Sequence, residues 1–147
     1  MRALIVAVLC VSLAGCGDKS GLPPATAVKG QVFVKGQPAT GALVVFHPQD
    51  AGRESARRAY ATVADDGSFE LTTYTQGDGA PEGEYGITVV WNQKIKEAKE
   101  TKFSLKEDPG TGVAVDRLGG RYGDPKNPKI KKTVKKGESN EFRLDLD

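Results

Sequence analysis

Residues 59–74 read AYATVADDGSFELTTY, with an alternating run on each side of the tripeptide DDG at residues 65–67. An Asp-Gly pair between two such runs predicts a tight hairpin turn, because both residue types tolerate a positive φ. In the second run, Phe69 and Leu71 alternate with polar residues, which is the period of a half-buried strand. These residues predict an antiparallel hairpin with one face toward a core.

Strand signals continue on both sides of this hairpin. They are VKGQVFV from residue 28, ALVVFHP from residue 42, GEYGITVVWN from residue 83, KIKKTVKK from residue 129 and NEFRLDL from residue 140. A turn is predicted at Gly36-Gln37-Pro38. With about seven short strands and no strand–helix alternation, the pattern favours an all-β, antiparallel β-sandwich. The side chains expected to form its core are Phe69, Leu71, Ile87, Val89, Phe142 and Leu144.

Residues 93–117 are highly charged and show no sustained hydrophobic period, so a short helix there is left open beside a long loop. A long loop without a pattern in a compact domain is usually functional or disordered. The chain as a whole carries 21 Lys and Arg against 19 Asp and Glu. This near-balance argues against nucleic acid as a partner, because nucleic-acid-binding domains usually show a strong basic excess.

The first residues, MRALIVAVLCVSLAGC, combine one positive charge, a short apolar stretch and a small-residue exit. This order is typical of a secretory signal, and the apolar stretch is shorter than the roughly 20 residues that span a bilayer. We therefore expect a signal peptide at residues 1–15. A flexible tether with two prolines should follow at residues 16–27, and one domain at residues 28–147.

The sequence Leu13-Ala14-Gly15-Cys16 resembles the lipobox of bacterial lipoproteins. The resemblance implies that the Cys16 thiol receives a diacylglycerol, with acyl chains such as palmitate, and becomes the first residue after cleavage. Several acyl chains on one residue give lasting membrane anchorage. Cys10 would leave with the signal, so no intrachain disulfide is expected. The expected location is the cell envelope, anchored by lipid to a membrane and facing the periplasm or the exterior.

Three stretches, taken in order, resemble the carboxypeptidase regulatory-like domain: VKGQVFVKGQPATGALVVFHP, ATVADDGSFEL and PEGEYGITVVW. The tail from DRLGGRYGDPKNP to NEFRLDL is similar to the end of small planctomycete-type lipoproteins. The resemblance implies a transthyretin-like β-sandwich that works as a structural or binding accessory. Enzymatic relatives of transthyretin, the hydroxyisourate hydrolases, use several histidines and a C-terminal Tyr-Arg-Gly-Ser. This chain has one histidine and ends in FRLDLD.

Catalytic and metal chemistry find little support in the residue pattern. His47 has no second histidine or further thiol beside it to complete a metal or acid–base site. Asp65 and Asp66 lack the further oxygen ligands of a calcium loop, so a turn explains them better. The glycine-rich stretches GTGVAV and RLGGRYG do not match a phosphate loop. We expect no enzyme activity, no cofactor and no bound metal.

Four residues are candidates for partner binding: Trp91, Tyr85, Lys131 and Lys132. The two aromatic residues share one strand face, where they would form either a sugar-stacking platform or part of the core. The lysines belong to a cluster over residues 126–136 that would touch anionic headgroups or envelope polymers, or protect a sheet edge. The expected function is non-catalytic structural or protein-binding work, with an unknown envelope protein or polysaccharide as partner. A carbohydrate-binding module is the alternative.

Overall fold

The computed structural model of this protein describes residues 21–53, 55–94 and 114–147. These ranges contain no helix, and the predicted all-β fold is confirmed. The strands are β1 (Ala25–Thr26), β2 (Val28–Val34), β3 (Gln37–Pro38), β4 (Leu43–Pro48), β5 (Ala59–Thr62), β6 (Ser68–Glu70), β7 (Ala80–Pro81), β8 (Gly83–Val90), β9 (Asn92–Lys94), β10 (Ala114–Asp116), β11 (Ile130–Val134) and β12 (Asn140–Leu146). The predicted signal peptide, Cys16 and most of the charged stretch within 93–117 lie outside the described residues.

Two larger sheets form the body of the fold. The first has the strand order β11-β8-β4-β5, and every pair in it is antiparallel. The second has the order β12-β2-β3, with β6 also pairing with β2. In this sheet β12 runs parallel to β2, with Leu144 opposite Val32. The chain reaches β12 from β11, a strand of the other sheet, so no hairpin forces an antiparallel pair.

The core lies between the two sheets. Phe46 of the first sheet contacts the rings of Phe69 and Phe142 in the second, with centroid distances of 6.4 and 6.1 Å. Of the six predicted core residues, five are buried: Phe69, Leu71, Ile87, Val89 and Leu144. Phe142 is half-buried and packs against the core from the edge strand β12. The alternation of apolar residues therefore predicted the inward faces correctly.

The DDG turn lies at a corner of the sandwich. Gly67 has a φ of 86°, and its amide donates to the carbonyl of Ala64, which closes the turn. The strands on either side meet at a bridge between Tyr60 and Thr72. Between the turn and this bridge they belong to different sheets, because β5 pairs with β4 and β6 pairs with β2. The predicted turn is present, and it joins the two sheets.

Five of the strands, with two or three residues each, have no counterpart among the seven predicted: β1, β3, β7, β9 and β10. β3 covers Gln37 and Pro38, which the sequence assigned to a turn. The turn is formed instead by Lys35 and Gly36, with φ values of 50° and 80°. β1 lies within the predicted tether and pairs with β7. Two prolines precede it and favour an extended backbone that is ready to pair.

The sandwich has two distinguishable ends. At the N-terminal end, Val28 lies opposite Asn140, and Val134 lies opposite Gly83. At the other end, β8 continues into β9, which pairs with β10. We call this second end the ribbon end. Val28, which follows the predicted tether, therefore lies beside the turn at residues 135–139, and β1 lies along β7 at the same end.

Candidate functional site

Lys131 and Lys132 lie on β11, which is the outermost strand of its sheet. Lys131 is exposed, whereas Lys132 is half-buried, with its ammonium 5.9 Å from the centre of the Phe142 ring. We call the whole group the lysine edge, and its members are Lys126, Lys129, Lys131, Lys132, Lys135 and Lys136. An open depression of about 310 Å³ runs beside β11, lined by Gln49, Glu84, Tyr85, Lys131, Lys132 and Thr133.

Tyr85 and Trp91, the two aromatic candidates, lie in the core. Tyr85 is 1 % exposed and Trp91 is 8 % exposed. The Tyr85 hydroxyl donates to the carbonyl of Pro81 at 2.8 Å, and the Trp91 indole Nε1 donates to the carbonyl of Thr40 at 2.8 Å. The guanidinium of Arg117 lies 3.7 Å from the centre of the Trp91 ring. In this arrangement neither ring offers a free face for stacking on a sugar.

A network around Arg53 is a feature that the sequence does not single out. The guanidinium donates to the Asp50 carboxylate at 2.6 Å, to the Glu82 carbonyl at 2.7 Å and to the Tyr85 hydroxyl at 3.0 Å. Burial raises the pKa of Tyr85, and the nearby Arg53 only partly opposes this effect. Gly83 leaves room for the guanidinium, which a Cβ atom at that position would overlap. The network joins the loop after β4 to the start of β8.

Two other carboxylates hold backbone amides. Asp78 accepts hydrogen bonds from the amides of Thr73, Tyr74 and Thr75. Burial alone would raise the pKa of Asp78, but these amides outweigh it and the pKa is lowered. This carboxylate therefore holds a loop in place at the N-terminal end.

Asp116 does the same at the ribbon end, where its carboxylate accepts from the amides of Trp91, Leu118 and Gly120. Burial would raise the pKa of this carboxyl as well, and the three amides lower it. In the DDG turn, Asp66 accepts from the amide and hydroxyl of Ser68, which lower its pKa. Within the described ranges, no three His, Cys, Asp or Glu side chains come together as a metal site.

His47 lies on the outer side of β4, half-buried, with its Nε2 atom 2.9 Å from the Thr88 hydroxyl. Burial lowers the pKa of His47, and the positive charge of Arg58 lowers it further. The neutral imidazole is therefore favoured in the folded protein. Among the described residues, this threonine is the hydrogen-bond partner of the imidazole, and no carboxylate binds it.

No family model, curated protein or solved structure matches this chain. In the part of the chain that the structure describes, no helix is long and apolar enough to cross a membrane.

Proposed function

We propose that this protein is a non-catalytic lipoprotein of the cell envelope, with a β-sandwich that does structural or protein-binding work. The observation that carries the proposal is that the clustered polar side chains bind the protein's own backbone and side chains. The carboxylates of Asp78 and Asp116 bind backbone amides, and Arg53 joins Asp50, Tyr85 and a backbone carbonyl. These hydrogen bonds hold loops against the two-sheet sandwich. Such an arrangement is expected of a scaffold.

The proposed fold relationship is to the transthyretin-like, carboxypeptidase regulatory-like domains. Its support is the order of the three sequence stretches from residue 28, together with the packing of two sheets over one core. A fold of this kind carries many functions, so the relationship by itself argues for an accessory role and not for an activity.

The proposed anchor is lipid on Cys16, supported by the lipobox-like Leu13-Ala14-Gly15-Cys16. The residues that follow enter the sandwich at its N-terminal end, where β1 pairs with β7. The ribbon end would then face away from the membrane, toward the periplasm or the exterior. Surfaces at that end are where we place contact with an envelope protein.

The carbohydrate-binding alternative is weaker. Sugar stacking needs a row of exposed aromatic rings. Among the described residues, the strongly exposed aromatic residue is Tyr60, at 51 %. Since Tyr85 and Trp91 are buried, that alternative loses the two residues on which it rests.

Metabolic labelling with a fatty-acid analogue tests the anchor. The Cys16→Ser chain should lose the label and accumulate unprocessed, because the hydroxyl does not replace the thiol that takes the lipid. The Cys10→Ser chain is the matched control and should be labelled as fully as the unchanged chain, since Cys10 lies within the signal. Mass spectrometry that finds an unmodified Cys16 on the processed protein would refute the proposal.

Cross-linking in whole cells tests the binding role. A chain that carries a photo-reactive residue at the exposed Val115, in β10, should give discrete cross-linked products with an envelope protein. The same residue placed at the exposed Gln76, in the loop that Asp78 holds at the N-terminal end, is the comparison position. Equal, diffuse cross-linking from both positions would contradict a partner site at the ribbon end.

A further inference from the structure

We infer that the lysine edge binds the anionic phospholipid headgroups of the membrane that holds the anchor. This inference rests on the proposed lipid anchor for its biological setting, and it deepens the proposal by giving the domain a membrane-facing surface.

Most lysines of the lysine edge are not in ion pairs with the described carboxylates. Among the described residues, one lysine of the lysine edge forms an ion pair: Lys135, with Glu138 at 3.4 Å. Lys126, Lys129, Lys131, Lys132 and Lys136 have no described carboxylate within ion-pair distance. Of the acidic residues nearby, Glu84 lies opposite Thr133 across the strand pair, and the carboxylate of Asp124 accepts from the backbone amide of Lys126. The edge therefore carries a local excess of positive charge, although the whole chain is nearly balanced.

The lysine edge extends to the N-terminal end of the sandwich. β11 ends at Val134, and the turn that carries Lys135 and Lys136 leads directly to Asn140. The Asn140 side chain binds the backbone of Lys135, and Asn140 lies opposite Val28, the first residue of β2. The lysine edge thus reaches the N-terminal end of the sandwich, where β1 and the start of β2 also lie. The DDG turn and the end of β12, with Asp145 and Asp147, lie toward the ribbon end.

Electrostatic attraction to an anionic membrane would orient the tethered domain. Residues 16–24, which precede β1, would span roughly 30 Å when extended, so this part of the tether alone leaves the orientation of the sandwich free. An anionic membrane surface attracts each nearby lysine, and this attraction extends over a Debye length of about 8 Å. A row of lysines beside the tether would therefore turn this edge toward the bilayer. A soluble anionic polymer would bind such a row equally well anywhere on the domain, so the proximity to the tether favours the membrane.

Vesicle co-sedimentation tests the inference with the full chain carrying Cys16→Ser. The vesicles are phosphatidylcholine alone, or phosphatidylcholine with phosphatidylglycerol. Substituting Lys131→Gln and Lys136→Gln should lower binding to the anionic vesicles by about tenfold or more at low salt. The matched control removes two exposed cations elsewhere: Lys35→Asn in the turn after β2 and Arg57→Gln before β5, at the opposite edge of the sheet. Because all these chains share residues 1–20, their differences report the substituted charges.

The inference is supported if the control double variant binds anionic vesicles strongly and the lysine double variant binds them weakly. This difference should disappear in high salt. Equal losses of vesicle binding in the two double variants would overturn the inference, because net charge alone would then explain binding. It would also be overturned if phosphatidylglycerol raised the binding of the lysine double variant as much as that of the control double variant, or if the chain bound dextran sulfate without any phosphatidylglycerol-dependent binding to vesicles. The labelling of Cys16 is measured separately. An unlabelled Cys16 with lysine-dependent vesicle binding would refute the anchor and leave the lysine edge standing.

Discussion

Gly30 lies where three strands of the second sheet meet. It pairs with Phe69 of β6 on one side and with Phe142 of β12 on the other. A Cβ atom at this position would overlap the carbonyl oxygen of Phe142 and the ring of Phe69. The backbone oxygen cannot move without disturbing the pairing of β12, so this glycine is required by packing.

Gly30→Ala should therefore lower the free energy of unfolding by about 1–3 kcal/mol or more, because the added methyl overpacks a closed site. Urea denaturation measures the change. Gly123→Ala is the control, since the nearest atom to a Cβ there is 3.5 Å away, and it should change stability by about 0.5 kcal/mol at most. Equal effects of the two substitutions would contradict a packing requirement for glycine at position 30.

At this scale the sequence predicted the residue types but not their contacts. A glycine within VKGQVFV signals a close approach in a strand, yet Phe69 and Phe142 are too distant in sequence to be named as its neighbours. The same holds for Arg53, whose partners Glu82 and Tyr85 lie about thirty residues further on. Long-range contacts follow from sheet order, which the local pattern does not contain.

Individual strands have a buried face and an exposed face. Two leucines, one on each kind of face, allow the contribution of burial to stability to be measured. Leu71 is fully buried between the sheets, whereas Leu43, on the outer face of β4, is 42 % exposed. Leu71→Ala should cost about 2–5 kcal/mol, because it removes apolar contacts and leaves a cavity. Leu43→Ala deletes the same atoms and should cost about 1 kcal/mol or less. Thermal and urea unfolding of both variants checks this prediction, which a reversed order of the two losses would contradict.

Alternation predicted which side chains face inward, but not which sheet each strand joins. For β5 and β6 the pattern on either side of the DDG turn is that of a simple hairpin, and the structure assigns the two strands to different sheets. The candidate site was predictable to the same degree. Alternation placed Tyr85 and Trp91 on one face, and only the sheet packing identifies that face as the core. The lysine-rich composition of residues 129–136 suited an edge strand, and β11 is one.

Across the whole molecule, Asp78 and Asp116 fix opposite ends of the sandwich. Asp78 holds the backbone of residues 73–75 at the N-terminal end, and Asp116 holds three amides at the ribbon end. They have no described partner in common. Substitutions at widely separated sites without shared partners add, usually within about 0.5 kcal/mol. The two ends should therefore contribute independently to stability.

Acid should weaken both ends together. The pKa of each carboxyl is lowered in the folded protein, while the unfolded value lies near about 3.9. The stabilisation is therefore fully present above that value and is lost as the pH falls through the folded-state pKa, because the unfolded chain then binds more protons. Each of Asp78→Asn and Asp116→Asn should cost about 1–3 kcal/mol at pH 7 by leaving an amide poorly paired, and the double variant should lose the sum.

Urea unfolding from neutral pH to about pH 3 measures this effect, and the double variant should show a shallower decline than the unchanged chain since it lacks the two titrating groups. Asp65→Asn is the control, because the Asp65 carboxylate makes no hydrogen bond among the described residues; only its carbonyl accepts, from Thr40. It should leave both the stability and its pH dependence within about 0.5 kcal/mol of the unchanged chain. If the double variant kept the full acid dependence, the carboxylates that respond to acid would have to lie elsewhere in the molecule.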